Sequence, residues 1–168
     1  YRIDNPKVTF PLNDENRRLV EELEARALDQ INSVLAENRD DIAAIVIEPI
    51  QGEGGDNHFR GEFFAKLRQI ADENDVMLIF DEVQSGMGIT GRMWAYQHFD
   101  VVPDIIAFGK KTQVCGIMVT SRVDEVEENV FNVSSRINST WGGNLTDMVR
   151  AQRVLEIIEE DNLVENAD

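Results

Sequence analysis

The sequence predicts an α/β fold in which helices cover a mostly parallel β-sheet. Short apolar runs alternate with longer segments of helical spacing along the chain. The runs are apolar throughout, which is typical of strands that are buried on both faces of a parallel sheet. Polar groups lie at or close to the carboxyl ends of three of these runs. Because ligands of such sheets bind beyond the carboxyl ends of the strands, the pattern also predicts where a site would lie.

Three long helices are predicted, together with a short helix that contains Trp94 and Tyr96 and follows the turn of residues 86–91. The first begins at Asn13 or Asp14 and ends near Asn38, because apolar residues recur with near-helical spacing and acidic residues crowd the first turns. The second spans residues 61–74 and the third spans 145–160, and each has one apolar face. Such faces are expected to pack on the sheet.

Four strands are predicted, over residues 43–48, 76–80, 103–108 and 116–121. A glycine-rich loop follows the first strand, the second runs directly into Asp81, and the third is followed closely by Lys110. The carboxyl ends of neighbouring parallel strands meet at one edge of a sheet. We therefore expect the acid and the amine to lie at the same edge.

The chain has 168 residues and a formal charge of −16, which fits one ordinary domain of roughly 100–200 residues. The acidic excess argues against a nucleic-acid partner and a polybasic membrane anchor. Only four of the 16 cationic residues are lysines, which favours salt adaptation; the alternative is an acidic face that is solvated or covers a partner. No apolar run approaches the ~20 residues of a membrane span, and we expect a cytoplasmic protein.

Two familiar kinds of site are disfavoured. Residues 86–91 match the G-x-G-x-x-G pattern of dinucleotide-binding turns, but five residues separate them from the preceding strand, and Lys110 stands where an acid is expected. His58 and His98 lie in different loops without metal-ligand spacing. The single cysteine, Cys115, excludes an internal disulfide and a multi-cysteine metal site.

Asp81 and Lys110 remain as the chemically informative pair. Asp81 could be a helix cap or a member of a core ion pair. A lysine at the end of an apolar strand is costly to bury unless it is paired or used covalently. An acid and an amine at one edge suit Schiff-base chemistry, in which the amine holds an aldehyde cofactor and the acid holds a cationic ring nitrogen.

Two segments that contain this pair resemble a known family. Residues 80–86 (FDEVQSG), followed by Thr90 and Gly91, resemble the signature of class III aminotransferases, which use pyridoxal 5′-phosphate. Residues 103–110 (PDIIAFGK) look like the cofactor-lysine segment of that family, 29 positions downstream of Asp81. The combined motifs are highly specific.

Three further segments extend the resemblance over nearly the whole chain. Residues 47–56 are similar to the segment that is shared by the 4-aminobutyrate and lysine 6-aminotransferase branch. Residues 110–116 and 138–147 look specifically like L-lysine 6-aminotransferases. The resemblance implies the large domain of a fold-type I enzyme, of which residues 1–168 form the central part. The N-terminal portion and the C-terminal small domain are then missing, and we expect the isolated segment to be inactive.

The resemblance also implies roles for individual residues. Lys110 would hold the cofactor as a Schiff base and later move a proton, with Lys111 as the rival. Asp81 would pair with the pyridine nitrogen, Gln84 would hydrogen-bond the 3-oxygen of the ring, and Val83 would pack on a ring face. By keeping that nitrogen protonated, Asp81 would make the ring an electron sink.

Further implied roles concern the substrate and a second subunit. Ser139 and Thr140 would reach the phosphate of the neighbouring subunit's cofactor, which implies a homodimer with shared active sites. Glu53 would act as a specificity switch, pairing with an arginine beyond residue 168 for one substrate and releasing it for the other. Glu48 would support the site indirectly, without contacting the cofactor.

The implied reaction transfers the 6-amino group of L-lysine to 2-oxoglutarate. It gives glutamate and a 6-semialdehyde that cyclises. Two alternatives stay open. One is another ω-aminotransferase of the family that acts on ornithine or 4-aminobutyrate, and the other is a non-catalytic cofactor-binding or interaction module.

Overall fold

The computed structural model describes residues 1–137 and 142–168. The strands in this part of the chain are β1 (Ala44–Ile47), β2 (Ile50–Gln51), β3 (Asn57–His58), β4 (Met77–Asp81), β5 (Ile105–Phe108) and β6 (Gly116–Val119). The α-helices are α1 (Asp14–Glu37), α2 (Gly61–Glu73), α3 (Leu145–Glu160) and α4 (Leu163–Ala167). Short 3₁₀ helices span Ala95–His98, Lys110–Thr112 and Ser121–Glu125.

Four of the strands form one sheet in the order β1-β4-β5-β6. β4 pairs in parallel with β1 and β5, placing Phe80 opposite Ile47 and Asp81 opposite Ala107. β6 runs antiparallel to β5 at the edge, an arrangement that is common in otherwise parallel sheets. The mostly parallel α/β architecture is confirmed, and the carboxyl ends of β1, β4 and β5 lie at one edge of the sheet.

The hydrophobic core lies between α1, α2 and one face of the sheet. Phe64 of α2 is fully buried, and its ring centroid lies 5.2 Å from that of Phe80 and 4.5 Å from that of Phe99. Burying a phenylalanine side chain stabilises a fold by roughly 1.5–3 kcal/mol. The core thus fixes β4, the strand that carries Asp81.

Most predicted elements are confirmed, with shorter strands. α1 begins as expected, because Asn13 caps it by accepting a hydrogen bond from the Asn16 N–H at 2.9 Å. Asp81 is the last residue of β4 rather than the first residue of the loop. Among the described residues, no helix has the length and apolar composition needed to cross a membrane.

The expected burial of the strands on both faces does not hold at the edges of the sheet. Val46 in β1 is 64% exposed and Ile117 in β6 is 41% exposed. The reason is that α1 and α2 both pack on the face that carries Phe80, whereas α3 contacts the Lys110–Thr112 turn. An apolar run therefore predicted a strand correctly but did not reveal how many of its faces these helices cover.

Candidate active site

The predicted site residues on the strands and their loops are brought to one edge of the sheet. Glu48 follows β1, Asp81 ends β4, and Lys110 follows β5 after one glycine. The loop between β2 and β3 carries Glu53 to the same edge, where its carboxylate Oε1 lies 3.8 Å from the Lys110 Nζ. Ser139 and Thr140 lie outside the described residues.

Lys110 begins a 3₁₀ turn with an unusual backbone conformation. Its φ of +50° lies in the left-handed region, which residues other than glycine seldom adopt and which recurs at active sites. Its side chain is 52% exposed. A Cβ atom on the preceding Gly109 would lie 2.8 Å from the Cys115 Sγ, so a larger residue there would displace the Cys115 side chain. The turn therefore presents a primary amine at the open edge of the sheet.

Asp81 and Glu48 place two carboxyl groups near each other. The half-buried Asp81 accepts a hydrogen bond from the Val83 N–H at 3.0 Å, which closes the first turn of the following loop. Burial raises the pKa of Glu48 above its usual range, the charge of Asp81 raises it further, and a hydrogen bond from the Gly52 backbone opposes the shift. The resulting negative potential suits a cationic partner.

Glu48→Gln is expected to raise the melting temperature slightly at neutral pH. A raised pKa means that the folded chain binds the Glu48 proton more tightly than the unfolded chain does. Stability therefore falls as pH rises from the ordinary value of 4.5 through the folded pKa. Below 4.5 the variant and the wild type should melt together. Calorimetry across this range checks the prediction, with exposed Glu22→Gln as the control. A difference that persisted at low pH would contradict it.

Gln84 joins the loop after β4 to both neighbouring segments. Its side-chain Nε2 donates to the Glu53 Oε1 at 3.4 Å, and its backbone carbonyl accepts a hydrogen bond from the Lys111 Nζ. A Cβ atom on Gly52 would touch the Gln84 side chain at 3.4 Å, so the two loops are in close contact. Glu53, Gln84 and Lys110 thus form one polar cluster.

Glu82 is a residue whose importance the sequence did not reveal. It is only 1% exposed, and its carboxylate accepts hydrogen bonds from the Ser85 hydroxyl at 2.8 Å, the Ala95 N–H at 2.9 Å and the Tyr96 N–H at 2.8 Å. These bonds hold the loop after β4 against the 3₁₀ helix Ala95–His98. The available signal in the sequence was the position of Glu82, an acid between a buried strand and a glycine-rich turn.

Glu82→Gln is expected to lower the free energy of unfolding by about 2–4 kcal/mol, because the amide NH₂ would face buried donors and leave them unsatisfied. Urea denaturation measures this difference. Glu73→Gln is the matched control, since Glu73 is an exposed acid at the end of α2, and it should change stability by less than about 0.5 kcal/mol. Equal stability of the two variants would show that the Glu82 contacts contribute little.

The glycine pattern of residues 86–91 has a structural explanation. A Cβ atom on Gly86 would come within 2.6 Å of the Trp94 ring, and Gly88 and Gly91 adopt φ angles of +88° and +80°. Close packing and turn geometry therefore account for these glycines. Among the described residues, no group of three or more His, Cys, Asp or Glu side chains could hold a metal ion.

The polar cluster and the neighbouring Asp81 together combine four complementary capabilities. The accessible amine of Lys110 can form a covalent bond with a carbonyl carbon. The half-buried carboxylate of Asp81 can pair with a cationic nitrogen, and the amide of Gln84 can bind an oxygen. Glu53 is 87% exposed and can change partners at little cost.

Comparison with known proteins matches nearly the whole chain to one protein family. The family described as "Aminotransferase class-III" matches residues 4–168. The L-lysine-epsilon aminotransferase of Mycobacterium bovis is 60% identical over 166 residues, which cover 99% of this chain and 36% of that protein. The 4-aminobutyrate aminotransferase of Emericella nidulans is 37% identical over 163 residues, which cover 96% of this chain and 32% of that protein.

A solved structure gives a matching result. The lysine aminotransferase from M. tuberculosis in the internal aldimine form superposes with a TM-score of 0.90 at 60% identity. The match covers 98% of this chain and 37% of that one. The chain thus spans little more than a third of the length of these lysine aminotransferases.

Proposed function

Because this chain belongs to the class III aminotransferase family, we propose that it is the central part of the cofactor-binding large domain of a pyridoxal 5′-phosphate-dependent transaminase. The proposed substrates are L-lysine, which gives its 6-amino group, and 2-oxoglutarate, which receives it. The identity of 60% to a lysine aminotransferase, against 37% to a 4-aminobutyrate aminotransferase, supports this choice. The N-terminal portion and the small domain would lie outside residues 1–168.

The observation that carries the proposal is the cluster of Lys110, Glu53 and Gln84 at the sheet edge where β4 ends in Asp81. When bound, pyridoxal 5′-phosphate supplies an aldehyde and a protonated ring that withdraws electrons from the substrate. The side chains of Asp81, Gln84 and Lys110 fit this group. Asp81 offers a carboxylate for the ring nitrogen, Gln84 offers an amide for the 3-oxygen, and Lys110 offers an amine for the aldehyde.

Each residue would then act on a defined atom. Asp81 would keep the proton on the ring nitrogen, and its half-burial strengthens that pairing because charges interact more strongly away from water. Gln84 would orient the ring through its 3-oxygen, and Val83 would limit movement of the ring by packing on one face. Lys110 Nζ would bind covalently and, once released, move the proton from the carbon that bears the substrate's amino group.

The contacts of the two adjacent lysines support Lys110 over Lys111 for this role. The Lys110 side chain is exposed and lies beside the exposed acid Glu53. The Lys111 ammonium instead donates to the Gln84 carbonyl and is partly buried. An amine that must exchange between two covalent partners needs the more accessible position.

Most of the remaining proposed roles involve groups outside the described residues. Glu53 would pair with an arginine for one substrate and release it for the carboxylate of the other, and Glu48 would support the site electrostatically from beside Asp81. Ser139 and Thr140 would bind the phosphate of the partner's cofactor in a homodimer. Two phosphate-binding residues supplied in this way would make each active site depend on both subunits.

The test follows the transferred nitrogen in the full-length enzyme loaded with cofactor. Lysine labelled with heavy nitrogen at its 6-amino group should give labelled glutamate from 2-oxoglutarate, and lysine labelled at the 2-amino group should not. Faster transfer from ornithine or 4-aminobutyrate would overturn the lysine assignment. Cofactor binding without transfer from any of these donors would indicate a non-catalytic module.

A further inference from the structure

Lys111 has contacts that set it apart from its neighbour Lys110. Its Nζ donates to the backbone carbonyl of Gln84, 27 positions earlier in the chain. The bond links the 3₁₀ turn after β5 to the loop after β4, and these two segments carry the proposed cofactor residues. Lys111 therefore connects the amine-bearing turn with the loop that follows Asp81.

Three side chains hold the loop of residues 81–85 at different points. Asp81 accepts from the Val83 N–H at 3.0 Å, and Glu82 holds the far end of the loop through Ser85 at 2.8 Å. Lys111 holds the position between them, at the carbonyl of Gln84. The backbone carbonyl and the side chain of Gln84 are attached to the same Cα atom. A hydrogen bond that fixes the carbonyl therefore restricts the positions that the side-chain amide of Gln84 can take.

The environment of Lys111 disfavours the charged form of its side chain. Burial lowers its pKa, and the neighbouring charge of Lys110 lowers it further, whereas Glu82 acts in the opposite direction. A lysine that is exposed to water and distant from other cations would experience neither of the two effects that lower the pKa. Groups with unfavourable environments of this kind are concentrated at functional sites.

We propose that Lys111 is a positioning residue, whose hydrogen bond to the Gln84 carbonyl sets the position of the Gln84 amide, the group assigned to the cofactor's 3-oxygen. The inference rests on the proposed function. The two adjacent lysines then have different roles: Lys110 binds the cofactor covalently, and Lys111 acts through Gln84.

A double-mutant cycle on cofactor affinity in the full-length enzyme tests this inference. Lys111→Met keeps the apolar stem and removes the donor, and we expect it to weaken binding of pyridoxal 5′-phosphate about tenfold. In a Gln84→Ala background the same change should cost less than about twofold, because no amide is left to position. Lys111→Arg keeps a charged donor and should stay within about threefold of the wild type.

A second readout does not involve the cofactor. In the apoprotein, Lys111→Met should speed hydrogen exchange at the amides of Val83 and Gly86, which lie on either side of the anchored carbonyl. Lys66→Met is the matched control, because Lys66 is an exposed lysine on α2 that contacts Gln69. It should change neither affinity nor exchange. If Lys111→Met does not fold, Lys111→Leu, which also lacks a donor, takes its place in the same cycle.

The outcomes separate the inference from the proposed function. Equal losses from Lys111→Met in the wild-type and Gln84→Ala backgrounds would overturn the positioning role while leaving transamination intact. Unchanged affinity in Lys111→Met would overturn it as well. A wild-type enzyme that binds no pyridoxal 5′-phosphate would overturn the proposed function itself.

Discussion

Lys110→Ala should abolish turnover of the full-length enzyme, lowering kcat at least about 10³-fold, because it removes both the covalent anchor and the group that moves the proton. The alanine leaves the fold intact, since the Lys110 side chain is 52% exposed and outside the hydrophobic core. The measurement is steady-state glutamate formation from lysine and 2-oxoglutarate at saturating cofactor.

Lys66→Ala serves as the control for the loss of one lysine, because Lys66 is exposed on α2 and far along the chain from the site. It should retain full activity. If Lys110→Ala kept more than about a tenth of wild-type kcat, then Lys110 could not be the residue that moves the proton.

Asp81→Asn should lower kcat about 10³-fold, which corresponds to about 4 kcal/mol of transition-state stabilisation. The substitution keeps the shape of the side chain and an oxygen that can accept the Val83 N–H, so the loop after β4 should retain its conformation. What it removes is the negative charge proposed to keep the ring nitrogen protonated. Transient kinetics of the first half-reaction measures the effect directly.

Asp29→Asn on the exposed side of α1 is the control for loss of one negative charge. It should leave the half-reaction unchanged. If Asp81→Asn also left the half-reaction unchanged, then the role of Asp81 would be limited to closing the turn to Val83. That outcome would favour the alternative in which Asp81 is a capping residue.

The sequence predicted the elements whose signals are local. The Asn13 cap, the apolar face of α2 and the apolar run before Asp81 each depend on residues within a few positions of one another, and each is present. The meeting of Asp81 and Lys110 at one edge followed from the general geometry of parallel strands. These predictions needed no knowledge of side-chain contacts.

The features that the sequence missed depend on contacts between distant segments. Glu82 is held by backbone donors at Ala95 and Tyr96, 13 and 14 positions away, and nothing local indicates that its carboxylate points inward. The direction of Lys111 depends on the left-handed turn at Lys110. The exposure of Val46 depends on which face of the sheet the helices α1 and α2 cover.

Borohydride reduction of the holoenzyme, followed by mass spectrometry of its peptides, tests the central claim most directly, since it fixes the cofactor to the amine that holds it. The account predicts one pyridoxyl phosphate group per subunit, on Lys110. Modification of Lys111 instead, or an active enzyme with no modified lysine in this chain, would contradict it.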